Sequence, residues 1–318
     1  MQDSSSVIYD IIIVGLGPAA TTAGLYSLRN NLKTLMIGET FGGATLVSGE
    51  IENWPGVVHT TGFELAEKFE EQIKHYSPDE SCIKRSLVKT IEKQGNLFRV
   101  LDKDGTEFSA KAVIYSTGSE SRKLSIPGEQ EYRNKGVTYC ATCDGPLYHG
   151  KDIAIIGGGN SALKAGLMML NIAKSVTVVS INPQFSGEQI SIKQLEKAQA
   201  EGKVRLIVNG KTKEVKGNGK FVDKVVVEHT DTGVMEEIAV QGVFVEIGLI
   251  PITGPVKELR LAMNRIGEIE TDREMKTNIP GFFVAGDVSD LRDKQIIVAS
   301  GSGCTAALSA AEYVQNFE

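Results

Sequence analysis

One local pattern constrains this chain more than any other, because it occurs twice. Residues 8–14, IYDIIIV, are a short β-rich run that ends at Gly15. Small residues and a helical stretch follow, from Ala19 to about Asn30, then a strand from Thr34 to Ile37. Residues 151–156, KDIAII, start the pattern again. They lead into Gly157-Gly158-Gly159, a helical stretch from Ser161 to about Asn171, and the strand Val176–Val179. Strand, glycine turn, helix and strand in that order open a doubly wound parallel sheet. Two copies about 140 residues apart amount to an internal duplication of architecture.

The fold class predicted is therefore α/β, with two dinucleotide-binding, Rossmann-like three-layer domains. Residues 119–136 are polar with one Pro-Gly and read as a crossing linker, and 248–255, GLIPITGP, as the return crossing. A third apolar run, Gly281 to Asp287, and a helix rich in small residues from about Gly301 to Val314 come after the return. The second domain is thus expected to be inserted into the first. The first, discontinuous domain is expected over 1–118 with 248–318, and the inserted domain over 119–247.

A length of 318 residues suits two domains of ordinary size. With 41% hydrophobic and 23% charged residues the chain has a globular composition. A formal charge of −6 argues against a nucleic-acid binder driven by phosphate contacts. No apolar run approaches the ~20 residues of a membrane helix. The start, MQDSSSVIYD, lacks the basic region and apolar core of a signal peptide, so a cytoplasmic location is the default.

The first glycine turn is Gly15-Leu16-Gly17-Pro18-Ala19-Ala20. Gly15 permits the tight turn, Gly17 lets backbone approach a pyrophosphate, and Ala20 keeps helix and strand close. The helix N-terminus favours the anion. Glu39 stands about where a ribose contact is wanted. Without this context the pattern would be a simple strand–helix turn.

The second motif is Cys140-Ala141-Thr142-Cys143-Asp144. A thiol with a lowered pKa is a good nucleophile, and a C-x-x-C pair opens and recloses. Asp144 is a candidate proton donor and acceptor. Half a zinc site or two buried thiols are the alternatives, but zinc wants two further ligands and no second C-x-x-C exists. Cys82 and Cys304 read as packing thiols. Trp54 reads as core, and His59, His75, His149 and His229 show no catalytic spacing.

The third, Gly157-Gly158-Gly159-Asn160-Ser161-Ala162, has the form of a second dinucleotide fingerprint. Ser180, Ile181, Asn182 and Pro183 follow its second strand. A 2′-phosphate wants arginines there and a free ribose hydroxyl wants an acid, and neither is present. A fold kept without its cofactor is a serious competitor. The fourth, Phe283-Val284-Ala285-Gly286-Asp287, brings a carboxylate to a strand end. Lys294 and Gln295 then precede a helix-like stretch whose N-terminus suits a flavin's pyrimidine edge.

Together these residues resemble the low-molecular-weight thioredoxin reductases. The resemblance rests on GLGPAA, ENWPG, the STG at 116–118, CATCDG, GGGNSA, GFFVAGD, KQ and GSGCTAA, in the family's order over nearly the whole chain. It implies FAD as cofactor and a thioredoxin-like protein as partner. It also implies a homodimer and a middle domain that rotates to present the disulfide. Cys143 would lie on the flavin side, Cys140 would attack the partner's disulfide, and Asp144 would manage the proton. By the same carry-over Gly15, Gly17, Pro18, Ala19 and Ala20 would hold FAD. So would Gly38, Glu39, Gly42, Gly43 and Asn53, then Thr117, Gly118, Gly286, Asp287, Lys294, Gln295 and Ile296. No metal, nucleic acid or membrane is implied.

The chain departs from the family's pattern at the second nucleotide site. Asn160 replaces an Asp, Lys164 stands at an acidic position, and Ser180-Ile181-Asn182 replaces His-Arg-Arg. Losing two guanidinium contacts to a dianionic phosphate forfeits charge-assisted hydrogen bonds of about 1.5–3 kcal/mol each. That is a hundredfold or more in affinity at ~1.4 kcal/mol per tenfold. Gly42-Gly43-Ala44 for GGQ and Lys294 for Arg are milder departures. Some members of the family take electrons from another donor, such as reduced ferredoxin or a deazaflavin, and the chain resembles these. The alternatives are nicotinamide use through other cations, such as Lys193, Lys197 or Arg205, and a flavin-binding redox sensor.

Overall fold

The computed structural model describes residues 7–317. The first six residues, on which part of the leader argument rests, lie outside the described residues. The chain divides into two compact units, residues 1–120 with 250–318, and residues 121–249. These boundaries fall two residues later than the sequence reading placed them. Both crossings are extended, over Ser119–Ser121 and Leu249–Pro251. Among the described residues no helix is long and apolar enough to cross a membrane.

Unit 1 is built on the strand Ile8–Val14. It pairs in parallel with Thr34–Gly38 on one side and Glu107–Tyr115 on the other. Ile11, Ile12 and Ile13 are all fully buried, because a parallel sheet is covered on both faces. Ile11 and Ile13 pack on the alanines of α1 (Pro18–Arg29) and of the C-terminal helix Ile296–Gln315. Ile12 and Val14 pack with Phe98, Val100 and Phe282 on the opposite face. The strand Phe282–Val284 joins the sheet beside Glu107–Tyr115, Phe282 opposite Val113. The last third of the sequence thereby completes the fold begun by the first. The helix expected from about Gly301 starts at Ile296, so Gln295 is its N-cap. A second helix of this unit, α2, spans Gly62–Tyr76 and opens with a capping box between Thr61 and Glu64.

Unit 2 repeats the plan. Its five-stranded parallel sheet runs Val137–Thr138, Gly242–Val245, Asp152–Ile156, Ser175–Val179, Val204–Ile207. Ile153 and Ile155 face the helices α4 (Asn160–Met169) and α5 (Gln189–Ala200). Ala154 and Ile156 face a three-stranded antiparallel sheet through Val215, Val225 and Val227. The fold is α/β, with two Rossmann-like dinucleotide-binding units of three layers and the second inserted into the first.

The segment read as a linker is mostly a folded part of unit 2. Its anchor is Glu129, only 1% exposed. The Glu129 carboxylate accepts the N–H groups of Leu124 (2.8 Å) and Ser125 (2.7 Å) and the hydroxyl of Tyr139 (2.9 Å). A buried carboxylate is tolerated only when satisfied in this way. Burial and the Glu129 charge push the Tyr139 hydroxyl up to about 12.

The helix Ile296–Gln315 crosses α1 at Gly303, where a Cβ would lie 2.1 Å from the carbonyl oxygen of Ala19. Alanine normally stabilises a helix by about 1 kcal/mol over glycine. Here the backbone clash reverses that sign. Gly303→Ala is expected to destabilise unit 1 by about 1–3 kcal/mol, read as a lower midpoint in urea unfolding.

Candidate functional site

The redox turn begins where the strand Val137–Thr138 ends. Thr138 lies opposite Phe244 in the parallel pairing, and the chain then turns into the single-turn helix α3, Ala141–Asp144. Cys140 is its N-cap and Cys143 lies one turn on. The two sulfurs form a disulfide, with the Cα atoms 5.3 Å apart. Cys140 Sγ also accepts the N–H of Cys143, at 3.2 Å. Cys143 is exposed and Cys140 half-buried.

Asp144 closes the turn. The Thr138 hydroxyl donates to its carboxylate. Burial pushes the Asp144 carboxyl above its ordinary value, and the Thr138 bond pulls part of the way back. A carboxyl poised upward beside a disulfide is a proton store for a two-thiol product. Tyr148, packed edge-on against Phe244 at 4.9 Å, is pushed up to about 12 by burial and by the Asp144 charge.

Two residues of this turn were not singled out by the sequence. Thr138 is one. The other is Glu246, whose Oε1 accepts the Ala141 N–H at 3.0 Å. Burial pushes the Glu246 carboxyl up and the Ala141 bond opposes it. A charged residue closing an apolar strand run, GVFVE, was the available hint.

In unit 1 the first glycine turn fits a dinucleotide. Gly15 sits at φ +120°, and a Cβ there would lie 2.4 Å from the carbonyl oxygen of Ser116. Gly17 is the N-cap of α1 with no side-chain cap, and Pro18 follows it, so the early N–H groups of the helix are left for an anion. A Cβ on Gly43 would lie 3.3 Å from Gly17 Cα, so the loop after Gly38 folds back on the turn. Gly42 and Gly43 both have positive φ, as do Gly118 and Gly286. Asp287 follows Gly286 at the end of the strand Phe282–Val284. Burial pushes its carboxyl up, Lys294 lowers it, and Glu268 raises it again. Gly286 donates its N–H to Ser302 Oγ at 2.9 Å, fixing this turn on the C-terminal helix. Asn53 Nδ2 donates to Gln295 Oε1 at 3.3 Å. Thr117 donates its hydroxyl to the Ile252 carbonyl at 2.8 Å. The structure thus gathers Asn53 with Gln295, and Asp287 with Lys294. Two predicted contacts are engaged elsewhere. Glu39 pairs with Lys103 on the surface, and the Lys294 ammonium reaches Glu268 at 2.8 Å and the Ser289 carbonyl at 2.6 Å.

The second glycine turn has the same shape. Gly157 has φ +150°, and a Cβ there would lie 2.2 Å from the Glu246 carbonyl oxygen. A Cβ on Gly158 would lie 2.3 Å from Ser180 Oγ. Ser180 is 1% exposed and Ile181 is exposed, so no charged group stands at this strand end. The loop returns across the turn: Ser186 N–H donates to the Gly158 carbonyl (2.8 Å) and Glu188 N–H to Asn160 Oδ1 (2.7 Å). Lys164 pairs with Glu188 at 3.3 Å, and Arg205 grips Glu236 with two bonds of 2.5 and 2.8 Å. Among the described residues no group of His, Cys, Asp and Glu is arranged to hold a metal.

Unit 1 carries a glycine turn that fits a dinucleotide, and unit 2 repeats that turn and adds the Cys140–Cys143 disulfide at a helix start. The pattern of the family described as pyridine nucleotide-disulphide oxidoreductase matches residues 9–303. Over 306 residues the chain is 40% identical to an NADH dehydrogenase of Bacillus subtilis, covering 96% of this chain and 58% of that one. It is 39% identical over 310 residues to an alkyl hydroperoxide reductase component of Escherichia coli, with coverage of 96% and 58%. The chain therefore spans a little over half the length of these curated relatives. The crystal structure of thioredoxin reductase from Streptococcus pyogenes superposes with a TM-score of 0.90 at 37% identity, covering 98% of this chain and 100% of that one. The chain belongs to the pyridine nucleotide-disulphide oxidoreductase family and, within it, to the flavin-dependent, thioredoxin reductase-like branch, whose members bind FAD.

Asp144 yields a prediction that separates stability from function. A carboxyl whose folded pKa is raised contributes stability that is full below its unfolded value and is lost as pH rises through the folded one. Asp144→Asn keeps an acceptor for Thr138 and never ionises. It is expected to raise the melting temperature at about pH 8, with the gain vanishing as pH falls to the ordinary carboxyl range near 4. Disulfide turnover should fall by about 10²–10⁴-fold, the usual worth of a positioned acid–base group.

Proposed function

We propose that this chain passes electron pairs from FAD in unit 1 through Cys140–Cys143 to the disulfide of a thioredoxin-like protein. The donor is one other than NADPH, such as reduced ferredoxin or a deazaflavin, and the working form is a homodimer. The observation that carries the reading is the Cys140–Cys143 disulfide at a helix start beside the desolvated Asp144.

FAD, when bound, supplies a two-electron couple. Gly15, Gly17, Pro18, Ala19 and Ala20 would hold its pyrophosphate at the start of α1. Gly38, Gly42 and Gly43 would hold the adenosine side, joined by Glu39 once it leaves Lys103. Asp287 would accept from a hydroxyl of the cofactor. Asn53, Thr117, Gly118, Gln295 and Ile296 would hold the flavin, joined by Lys294 once it leaves Glu268. Two electrons and two protons break the Cys140–Cys143 bond and leave two thiols. Cys143 is the sulfur that receives the electron pair in that step, and Asp144 holds a proton. The Cys140 thiolate then displaces one sulfur of the partner's disulfide. Cys143 attacks Cys140, re-forms the internal disulfide and releases the partner as a dithiol.

Support for the donor lies in unit 2. Ser180, Ile181 and Asn182 offer a 2′-phosphate no guanidinium, Arg205 is occupied by Glu236, and Lys164 by Glu188. Rapid mixing with micromolar NADPH is expected to leave the flavin oxidised, and reduced ferredoxin to bleach it. Fast bleaching by NADPH would overturn the donor assignment. Cys143→Ser is expected to keep a reducible flavin and lose partner reduction. Undiminished partner reduction in that variant would refute the disulfide route.

The name of the Bacillus subtilis relative, NADH dehydrogenase, favours a second reading. In it NADH reaches unit 2 through contacts other than an acid at the strand end. The exposed Lys193 and Lys197 of α5 are the available cations. Titrating NADH and NADPH separately against flavin absorbance decides between the two readings.

A further inference from the structure

The two units are copies of one plan, and one position in the copy has changed its chemistry. In unit 1, Ser116 follows the strand beside the glycine turn. Its N–H donates to the Val14 carbonyl at 2.9 Å, and its own carbonyl lies against Gly15. In unit 2 the corresponding residue is Glu246. Its N–H donates to the Ile156 carbonyl at 2.8 Å, and its carbonyl lies against Gly157. Ser116 turns its hydroxyl back onto the Val14 carbonyl at 3.0 Å. Glu246 instead sends a carboxyl outward to the Ala141 N–H at 3.0 Å.

The strand register explains the reach. Val137 lies opposite Val243 and Thr138 opposite Phe244. Two residues beyond the Thr138–Phe244 pairing are Cys140 and Glu246, so the sheet itself delivers the carboxyl to the redox turn. We propose that Glu246 is a positioning residue for the Cys140–Cys143 pair, pinning the start of α3 through Ala141 and biasing the pair toward the disulfide by its negative charge. This rests on the disulfide reading above.

The bias follows from charge alone. A thiolate of the reduced pair next to a carboxylate is disfavoured, whereas a disulfide and a neutral dithiol carry no charge to repel, so the bias is felt where a thiol of ordinary pKa, about 8.5, has ionised. Tyr139, Asp144 and Tyr148 are further titratable groups beside this turn, and Tyr139 is engaged with Glu129 and Asp144 with Thr138. Glu246 is therefore the carboxyl bound to the peptide next to the Cys140 sulfur.

The test is the thiol–disulfide equilibrium of the FAD-loaded protein in glutathione buffers at about pH 9.5, where a thiol of the reduced pair and the Glu246 carboxyl are both ionised, read by alkylation after an acid quench. It needs neither donor nor partner protein. Glu246→Gln keeps an oxygen for the Ala141 N–H and removes the charge. The equilibrium is expected to move about tenfold toward the dithiol, equivalent to about 30 mV, with the flavin spectrum unchanged. Glu246→Asp, which restores charge on a shorter arm, is expected to recover part of that shift. An equilibrium in Glu246→Gln within about twofold of the parent would overturn the proposal, whatever Glu246→Ala does to folding. Partner reduction surviving in Cys143→Ser would refute the disulfide reading instead, so the two failures are distinguishable.

Discussion

Everything functional in this chain depends on backbone meeting backbone at a glycine. At Gly15 and again at Gly157 the central strand ends so close to the neighbouring strand that a single extra carbon would lie 2.4 or 2.2 Å from a carbonyl oxygen. No L side chain fits that space, and the positive φ at both positions excludes one a second time. The contact fixes where the next helix begins, and so where its N–H groups point. In unit 1 that leaves the N-terminus of α1 without a side-chain cap, as an anion site requires. In unit 2 it sets Glu246 at the end of its strand, one side chain away from the disulfide turn.

The duplicated strand–glycine–helix pattern and the C-x-x-C were legible in the sequence because each is local. Hydrophobic runs, glycines and two cysteines within four residues carry their meaning without knowledge of what packs on them. Other parts were hidden because their causes are remote. Glu246 meets Ala141 across 105 positions of chain, so nothing in GVFVEIG announces the bond. Glu129 looked like one more charge in a polar linker, yet it is buried with its oxygens accepting two N–H groups and a hydroxyl. The stretch after Gln295 reads as helix-like and the small-residue helix as starting about Gly301, and the two are one helix from Ile296. Its first residues, Ile296-Ile297-Val298, are β-branched and helix-averse, and tertiary packing overrides that preference. At the flavin site the residue types were readable but their engagements were not. Lys294 is committed to Glu268 and Ser289, and Glu39 to Lys103.

The two halves of the proposed electron path differ in how firmly the chain has built them. On the disulfide side three polar contacts tie the turn together. Thr138 holds Asp144, Cys143 donates its N–H to Cys140, and Glu246 holds Ala141. On the second nucleotide turn the groups are turned inward. Asn160 and Gly158 bind the chain's own loop, and Lys164 and Arg205 bind its own carboxylates. A lysine or arginine already neutralised by a partner must give up that pair before it can serve a phosphate.

The Gly157 contact has a consequence for how such a protein changes over time. Gly157 and Gly158 are required by packing against Glu246 and Ser180, and that demand holds whether or not a nucleotide ever arrives. Selection for a folded chain is enough to preserve those two glycines, whatever becomes of the side chains around them. They are therefore inherited as masonry, and any choice of ligand is written in the few side chains at the rim.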